Sequence, residues 1–211
     1  VTRDDSGSYF FIRDIESGVV WSPAYQPCGV EPDSYEVAYT EDRAELLRVD
    51  ATLTTKLEVV VSPEEDAEVR RVSITNSGSE ARELEITSYS ELTLTSPAAD
   101  AAHPAFSKLF VQTQYVAELG VLLAPRRRRS ADEPEIWAAH HVVVEGDVVG
   151  PLEYETDRAR FVGRGREVHE PVRMIDSRPL SNTVGTVLDP VFVLRRRVRV
   201  RKSFAQCRAG G

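Results

Sequence analysis

Hydrophobic and polar residues alternate with a period of two over much of this chain, as in β-strands that have one buried and one solvated face. In the stretch 66–94, Leu84 and Ile86 alternate with glutamates, and residues 76–79, Asn-Ser-Gly-Ser, can reverse the chain direction. The pattern predicts two strands joined by a tight turn. Such a hairpin is marginally stable alone, so we expect it to lie against further sheet.

The same period predicts further strands and leaves few positions for helix. Only residues 156–161 have a pattern that allows a short helix. Many short strands with polar turns, and no alternation of strand with helix, predict an all-β protein built from antiparallel sheets packed face to face. Prolines and glycines predict loops or turns at 22–32, 96–105, 126–134, 146–151 and 167–190. The predicted strands are 9–12, 19–21, 35–39, 44–49, 52–61, 106–116, 119–124, 136–144 and 191–200.

Length and composition are those of one soluble globular domain. Of the 211 residues, 41% are hydrophobic and 28% are charged, which argues against disorder. No run approaches the roughly 18 apolar residues of a membrane helix, and the first residues lack the apolar core of a signal peptide. Cys28 and Cys207 have no metal-ligand spacing, so we expect two free thiols in a reducing, cytoplasmic compartment.

Charge is distributed unevenly along the chain. Up to Pro125 there are 9 Lys and Arg against 22 Asp and Glu, and from Arg126 onward there are 17 against 12. One interpretation is a basic surface for a phosphate or a nucleic acid. The other is that the two parts are sheets whose charges balance each other. We favour the second and predict no nucleic-acid partner, because no basic motif interleaved with aromatic residues is present.

Few residues have the spacing of a catalytic or metal site. The four histidines form no ligand pattern, and His140 and His141 point to opposite faces of their predicted strand. Gly163-Arg164-Gly165 lacks the third glycine and the strand-to-helix context of a phosphate loop, so we interpret it as a turn. No nucleophile elbow is present. The sequence therefore predicts no catalytic residue, no metal site and no cofactor.

Three aromatic residues are candidates for contact with a carbohydrate, because an aromatic ring can stack on the C–H face of a pyranose. Trp21 and Tyr25 border the loop 22–32, and Trp137 lies on the predicted strand 136–144. Packing in the core is the alternative for each ring, and it is the more common fate of a tryptophan on a strand.

The last predicted strand carries alternating arginines. Its apolar side chains share one face, Arg195, Arg197 and Arg199 share the other, and Arg196 interrupts the apolar face. A row of like charges on a strand is unfavourable alone. We therefore predict that the row lies opposite acidic strand faces, and that Arg196 reaches a carboxylate or solvent. The first candidates as acidic partners are Glu83, Glu85 and Glu91.

Several segments resemble one family of carbohydrate-active enzymes. YFFIRDIESGVVWSPAYQP at 9–27 and EVRRVSITNSGSEARELEITSYSEL at 68–92 are similar to the β-sandwich of cellobiose and chitobiose phosphorylases and of the phosphorylase-like part of cyclic β-1,2-glucan synthases. The likeness runs from residue 4 to residue 200. The segments that look closest to the glucan synthases are HPAFSKLFVQTQY, EIWAAHHVVVEG, YETDRARFVGRGR and LSNTVGTVLDPVFVLRRRVRV.

This resemblance implies a galactose-mutarotase-like supersandwich, the non-catalytic domain that precedes an (α/α)6 catalytic barrel. In the family the general acid is an Asp on the barrel, inorganic phosphate is the nucleophile, and the substrates are β-linked glucosides. Positions that would match the barrel, or the glycosyltransferase segment and membrane spans of the glucan synthases, are absent from this sequence, so no catalytic residue is carried over. We expect one β-supersandwich domain over 1–200 and a short tail over 201–211, separate from a parent enzyme that can be associated with the inner membrane.

Three hypotheses for function follow. The first is an accessory domain of a glucan synthase or disaccharide phosphorylase, inactive alone, which supports the catalytic barrel and contacts a β-glucan or glucoside. The second is a stand-alone carbohydrate-binding module, which needs an exposed aromatic platform. The third is an aldose epimerase, which needs a His and a Glu in one cleft. The expected partners are the barrel and the glucan, with no direct membrane contact, and a homodimer is compatible with the sequence.

Overall fold

The computed structural model describes residues 7–203, and in this range strands far outnumber helices. The helices are short: α1 is Pro97–Ala102, α2 is Pro104–Lys108, α3 is Arg158–Phe161 and α4 is Val172–Ile175. The longest of them has 6 residues, too few to cross a bilayer. The strands are β1 Ser8–Asp14, β2 Val20–Trp21, β3 Ser34–Tyr39, β4 Arg43–Asp50, β5 Leu53–Val61, β6 Glu68–Asn76, β7 Arg82–Glu91, β8 Gln114–Val116, β9 Val121–Arg126, β10 Ile136–His141, β11 Asp147–Asp157 and β12 Pro190–Val200.

These strands form three antiparallel sheets. The central sheet has the order β11-β12-β7-β1-β2, a second has the order β3-β4-β5-β6, and a third has the order β10-β9-β8. Sequence-distant strands lie side by side in the central sheet, where β12 pairs with β7 and β7 with β1. The prediction of an all-β fold built from antiparallel sheets is confirmed.

One face of the central sheet packs against both smaller sheets. Ile12 of β1 shares a buried cluster with Leu53 of β5 in the four-stranded sheet. Further along the same face, Phe192 of β12 packs with Leu122 of β9 in the three-stranded sheet. Removal of these apolar side chains from water is the main force that holds the layers together.

The opposite face of the central sheet is covered by the segment 158–180, which contains α3 and α4. Phe11 follows the pleat to this side because neighbouring strand residues point to opposite faces. Its ring meets the ring of Phe161 edge to face, with centroids 5.8 Å apart. Tyr89 and the fully buried Met174 belong to the same cluster. The segment predicted as loop from 167 onward therefore supplies part of the core.

The strands β6 and β7 are both present, but they do not form the predicted hairpin. Strand β6 pairs with β5, whereas β7 lies between β1 and β12, so the turn carries the chain from one sheet to the other. Buried Asn76 fixes this crossing. Its side-chain amide donates to the carbonyl of Glu80 at 2.7 Å and to that of Val200 at 3.3 Å, and its side-chain oxygen accepts from the N–H of Gly78. A period of two specifies strands but not their partners.

Residues 96–116 also differ from the prediction of a loop followed by a long strand. The side chain of Ser96 accepts a hydrogen bond from the N–H of Ala99, and Pro97 occupies the first turn, so α1 begins there. Pro104 starts α2 in the same way. Of the predicted strand 106–116, the structure retains β8 and the single β-bridges that Val111 and Thr113 form just before it.

Two further boundaries were predicted only in part. Strand β11 runs through the turn predicted at 146–151, with a register shift between Val149 and Glu153 and with Gly150 at a φ of 76°. Glycine and proline here produce a bulge instead of a reversal.

The predicted short helix is present as α3. Of the predicted tail, Ser203 still donates its N–H to the carbonyl of Asn76, and residues 204–211 lie outside the described range.

Candidate functional site

Trp21, the first predicted carbohydrate contact, belongs to the core. Only 4% of its surface is exposed, and it packs with Ile12 and Leu84 where β2 closes the edge of the central sheet. The ring is among the residues that line a cleft at this end of the sandwich, but its exposed area is too small to stack on a pyranose. Its burial argues against the predicted sugar contact and agrees with the alternative, packing in the core, which is the common fate of a strand tryptophan.

Tyr25 and Trp137 are exposed but lie on different parts of the molecule. The Tyr25 hydroxyl donates to Glu31 at 2.9 Å, in the loop that precedes β3. Trp137 is 52% exposed on the edge strand β10, and its indole N–H donates to Glu135 at 2.9 Å. The structure does not gather the three predicted aromatic residues into one platform. Contact of Tyr25 or Trp137 with a sugar stays a prediction.

A groove of about 460 Å³ lies between the two helices α1 and α2 and the loop that joins β9 to β10. Its apolar lining includes Leu94, Ile136 and Phe106, and Phe106 is 49% exposed. Polar groups line the rest of it. They belong to Thr95, Ser96, His103, Ser107, Arg126, Arg128, Arg129 and Glu133.

Arginines of this loop gather around one aromatic ring. The guanidinium carbons of Arg126, Arg127 and Arg129 lie 5.2, 5.8 and 5.7 Å from the ring centroid of Phe110. Arg126 also donates to the carbonyl of Ser107 at 2.8 Å. Sequence reasoning treated 126–134 only as a charged loop. The run of four arginines was the available signal, but only the folded chain places it beside a groove.

A second cleft, of about 270 Å³, opens at one end of the sandwich between β2 and the turn after β4. Buried Asp14 lies in it, together with Arg82 and Asp50. Burial alone would raise the pKa of Asp14, but hydrogen bonds from Ser17 and Arg82 hold that pKa below its usual value. Asp50 receives two hydrogen bonds from the buried guanidinium of Arg48. These carboxylates are engaged in holding the fold.

The arginine row on β12 meets the acidic face of β7, as predicted. Arg197 donates to Glu85 at 2.8 Å, and Arg199 donates through Nε to Glu83 at 3.1 Å. Burial alone would raise the pKa of Glu85, but the arginines around it, Arg197 foremost, hold that pKa below its usual value. The third candidate, Glu91, instead accepts from Arg158 at 3.1 Å. The row is paired across the sheet.

Arg195 is the buried member of the row, with 3% of its side chain exposed. It donates to the backbone carbonyls of Arg173 and Arg178 and to the hydroxyl of Thr87, and it lies 3.5 Å from Glu153. It thus ties the segment 158–180 to the central sheet. Burial lowers its pKa, and the charges of Glu85 and Glu153 act against that effect.

His140 faces the core, whereas His141 lies on the exposed face of β10. Nε2 of His140 is 2.8 Å from the hydroxyl of Ser88, and its ring stacks on Phe192 with centroids 5.8 Å apart. Within residues 7–203, no group of three or more His, Cys, Asp and Glu side chains is arranged to hold a metal. Cys28 is a free thiol whose pKa is raised to about 11 by burial, and Cys207 lies outside the described range.

Comparison with known proteins identifies the fold. A family model described as the glycosyl hydrolase 94 supersandwich domain matches residues 1–205. The cyclic beta-(1,2)-glucan synthase NdvB of Rhizobium meliloti is 38% identical over 198 residues, which cover 94% of this chain and 7% of that protein.

Two phosphorylases are more distant relatives. The N,N'-diacetylchitobiose phosphorylase of Vibrio furnissii is 27% identical over 95% of this chain and 25% of its own length. The solabiose phosphorylase of Paenibacillus borealis is 25% identical over 88% of this chain and 23% of its own length. The chain therefore spans a quarter or less of each of these relatives.

Proposed function

Because the chain belongs to the family of glycosyl hydrolase 94 supersandwich domains, we propose that it acts as the non-catalytic accessory domain of a larger carbohydrate-active enzyme. In this role it packs against a catalytic domain and leaves the chemistry to that partner. The observation that carries the proposal is the coverage: the family model matches residues 1–205, whereas the glucan synthase relative extends far beyond its matching 7%.

The described side chains support the same role. The carboxylates Asp14, Asp50 and Glu85, which are at least partly buried, are each held by arginines in hydrogen bonds that stabilise the sheets. A general acid needs a proton to give near neutral pH. Carboxylates with the surroundings of Asp14 and Glu85, whose pKa values lie below the usual ones, do not hold it.

Two experiments test the accessory role. The isolated chain, incubated with phosphate and with cellobiose, sophorose or a β-1,2-glucan, should release no glucose 1-phosphate above a buffer blank. The chain should also replace the matching segment of the Rhizobium meliloti glucan synthase and preserve glucan synthesis, whereas deletion of that segment should abolish it. Release of glucose 1-phosphate by the isolated chain would overturn the proposal.

Direct contact with a β-glucan is a second candidate role, favoured by the half-exposed ring of Trp137. A calorimetric titration with linear and cyclic β-1,2-glucans, beside cellobiose, tests it. Trp137→Ala should weaken binding several-fold, and Tyr39→Ala, which removes an aromatic ring that is 79% exposed on β3, is the matched control. Equal loss of affinity in both variants would contradict a specific contact.

No observation favours the epimerase hypothesis. His169 lies 3.3 Å from Glu167, but both side chains are about half exposed on the surface, with 55% and 43% of their area accessible. A proton-transferring pair needs a cleft that excludes water.

A cytoplasmic location is part of the proposal and is supported by the free thiol of Cys28.

A further inference from the structure

The cluster of arginines beside the groove has a charge that the fold does not neutralise. Arg126, Arg127 and Arg129 bring three guanidinium groups to within 5.2 to 5.8 Å of one ring centroid. In the part of the chain that the structure describes, neither these arginines nor Arg128 forms an ion pair with a carboxylate. Like charges this close repel each other, and the ring of Phe110, joined at Arg129 by the ring of Phe106 at 5.6 Å, attracts them only weakly.

This arrangement differs from the other arginine row of the protein. On β12, Arg197 and Arg199 each meet a glutamate of the neighbouring strand. Beside the groove, the carboxylate of Glu133 accepts the backbone N–H of Arg129 at 2.7 Å and forms no ion pair with a guanidinium group of the described arginines. The guanidinium groups of the cluster are therefore available to an external anion.

The groove combines charged and aromatic side chains, so it suits a ligand that has both an anionic group and an apolar face. Arg126, Arg128 and Arg129 line it together with Phe106, whose half-exposed ring has the guanidinium carbon of Arg129 5.6 Å from its centroid. Its volume of about 460 Å³ is in the range of small-molecule sites. Arginine forks bind phosphate and carboxylate groups in pairs of hydrogen bonds, and an aromatic ring suits the apolar face of a sugar.

We propose that this groove binds an anionic sugar, with its phosphate or carboxylate group held by Arg126, Arg128 and Arg129 and its ring stacked on Phe106. Glu133, on the groove wall, accepts from sugar hydroxyls. The anion part of the proposal depends only on the arginines and the groove. The sugar part rests on the proposed function in a carbohydrate-active enzyme.

Calorimetric titration of the isolated chain at fixed ionic strength tests the site. The probes are glucose 6-phosphate, glucuronate, glucose and inorganic phosphate. Glucose 6-phosphate should bind at least tenfold more tightly than glucose or inorganic phosphate, and glucuronate should also exceed glucose. Arg129→Gln and Arg128→Gln should each weaken glucose 6-phosphate binding about tenfold. Arg164→Gln, which removes an exposed arginine outside the groove, should leave it unchanged.

A stability measurement distinguishes arginines that bind a ligand from arginines that only stabilise the fold by packing on the ring of Phe110. At low ionic strength Arg129→Gln should melt at or above the temperature of the unsubstituted protein, because it removes repulsion. Glucose 6-phosphate should raise the melting temperature more than sodium chloride of equal ionic strength does.

Three results would overturn the proposal. The first is a lower melting temperature of Arg129→Gln together with unchanged binding. The second is an effect of glucose 6-phosphate equal to that of salt. The third is equal binding of glucose 6-phosphate and inorganic phosphate, which would exclude a sugar ligand. None of them bears on whether the isolated chain is inactive or whether it replaces the synthase segment, so failure here is distinguishable from failure of the proposed function.

Discussion

The lowered pKa of His140 should make the fold lose stability at pH values well above those at which the carboxylates titrate. Burial lowers the pKa of this imidazole from 6.5 to about 4, with smaller effects from the positive charges of His141 and Arg70. The ring lies between the hydroxyl of Ser88 and the face of Phe192, and no carboxylate within residues 7–203 is bonded to it. The folded state therefore favours the neutral ring.

The sign and size of the effect follow from this difference in pKa. In the unfolded chain His140 takes up its proton around pH 6.5, whereas in the folded chain it does so only around pH 4. The free energy of unfolding therefore has its full value above pH 6.5 and decreases as the pH falls towards 4. A pKa unit corresponds to about 1.4 kcal/mol, so about 2 kcal/mol of unfolding free energy should be lost by pH 5 and about 3 kcal/mol below pH 4. The carboxylates Asp14 and Glu85, whose pKa values are lowered, contribute only below about pH 4.5.

Urea unfolding followed by tryptophan fluorescence at pH values from 8 to 5 measures this loss. The unsubstituted chain should lose about 2 kcal/mol between pH 7 and pH 5, whereas His140→Gln should be nearly insensitive to pH in that interval. His103→Gln, in an exposed position between α1 and α2, is the control and should retain the full dependence. A flat profile of the unsubstituted chain, or a dependence that persists in His140→Gln, would refute the reasoning.

Three substitutions test other features of the fold by thermal or urea unfolding. Ala51→Gly should stabilise by about 0.5–1 kcal/mol, because Ala51 has a φ of 50° and keeps its N–H bond to Asp33; a loss of stability would contradict this. Arg197→Glu should cost about 1–2 kcal/mol, since it places a second negative charge beside buried Glu85 at a side chain that is 41% exposed, and added salt should narrow the difference. Asn76→Ala should cost about 2–3 kcal/mol by removing the bonds that fix the crossing between sheets, and an unchanged midpoint would exclude that role.

The strands could be predicted because alternation is a local signal, whereas their partners could not. Leu84 and Ile86 fall on the predicted face of β7, yet β7 pairs with β1 and β12 instead of β6. The deciding interactions come from the far end of the chain, such as the bond from Asn76 to the carbonyl of Val200. Helices α1 and α2 could not be predicted for another reason. They have only 6 and 5 residues, too few for a helical pattern of apolar positions to be recognised, and the Ser-Pro and His-Pro pairs at which they start also occur in loops.

The candidate site was less predictable than the fold. Trp21 was a candidate because it is aromatic. Whether such a ring is buried depends on the strands packed against it, and Trp21 packs against the four-stranded sheet. The groove residues Phe106 and Arg129 are separated in sequence and meet only because α2 packs against the loop after β9. Sequence alone gives the arginine run without showing what it faces.

Pairing distinguishes the two groups of arginine that make the second part of the chain basic. The arginines of β12 lie in register with β7, where Arg197 is opposite Glu85 and Arg199 is opposite Glu83, so balance between the acidic and basic parts explains them. The same balance does not extend to residues 126–129, which begin at the last residue of β9 and place three of their four guanidinium groups around the ring of Phe110. The paired arginines of β12 stabilise the sheet, because strand register places a glutamate opposite each of them. The arginines 126–129 have no carboxylate partner in the described part of the chain, and this contrast with β12 is the reason to propose the ligand site beside them.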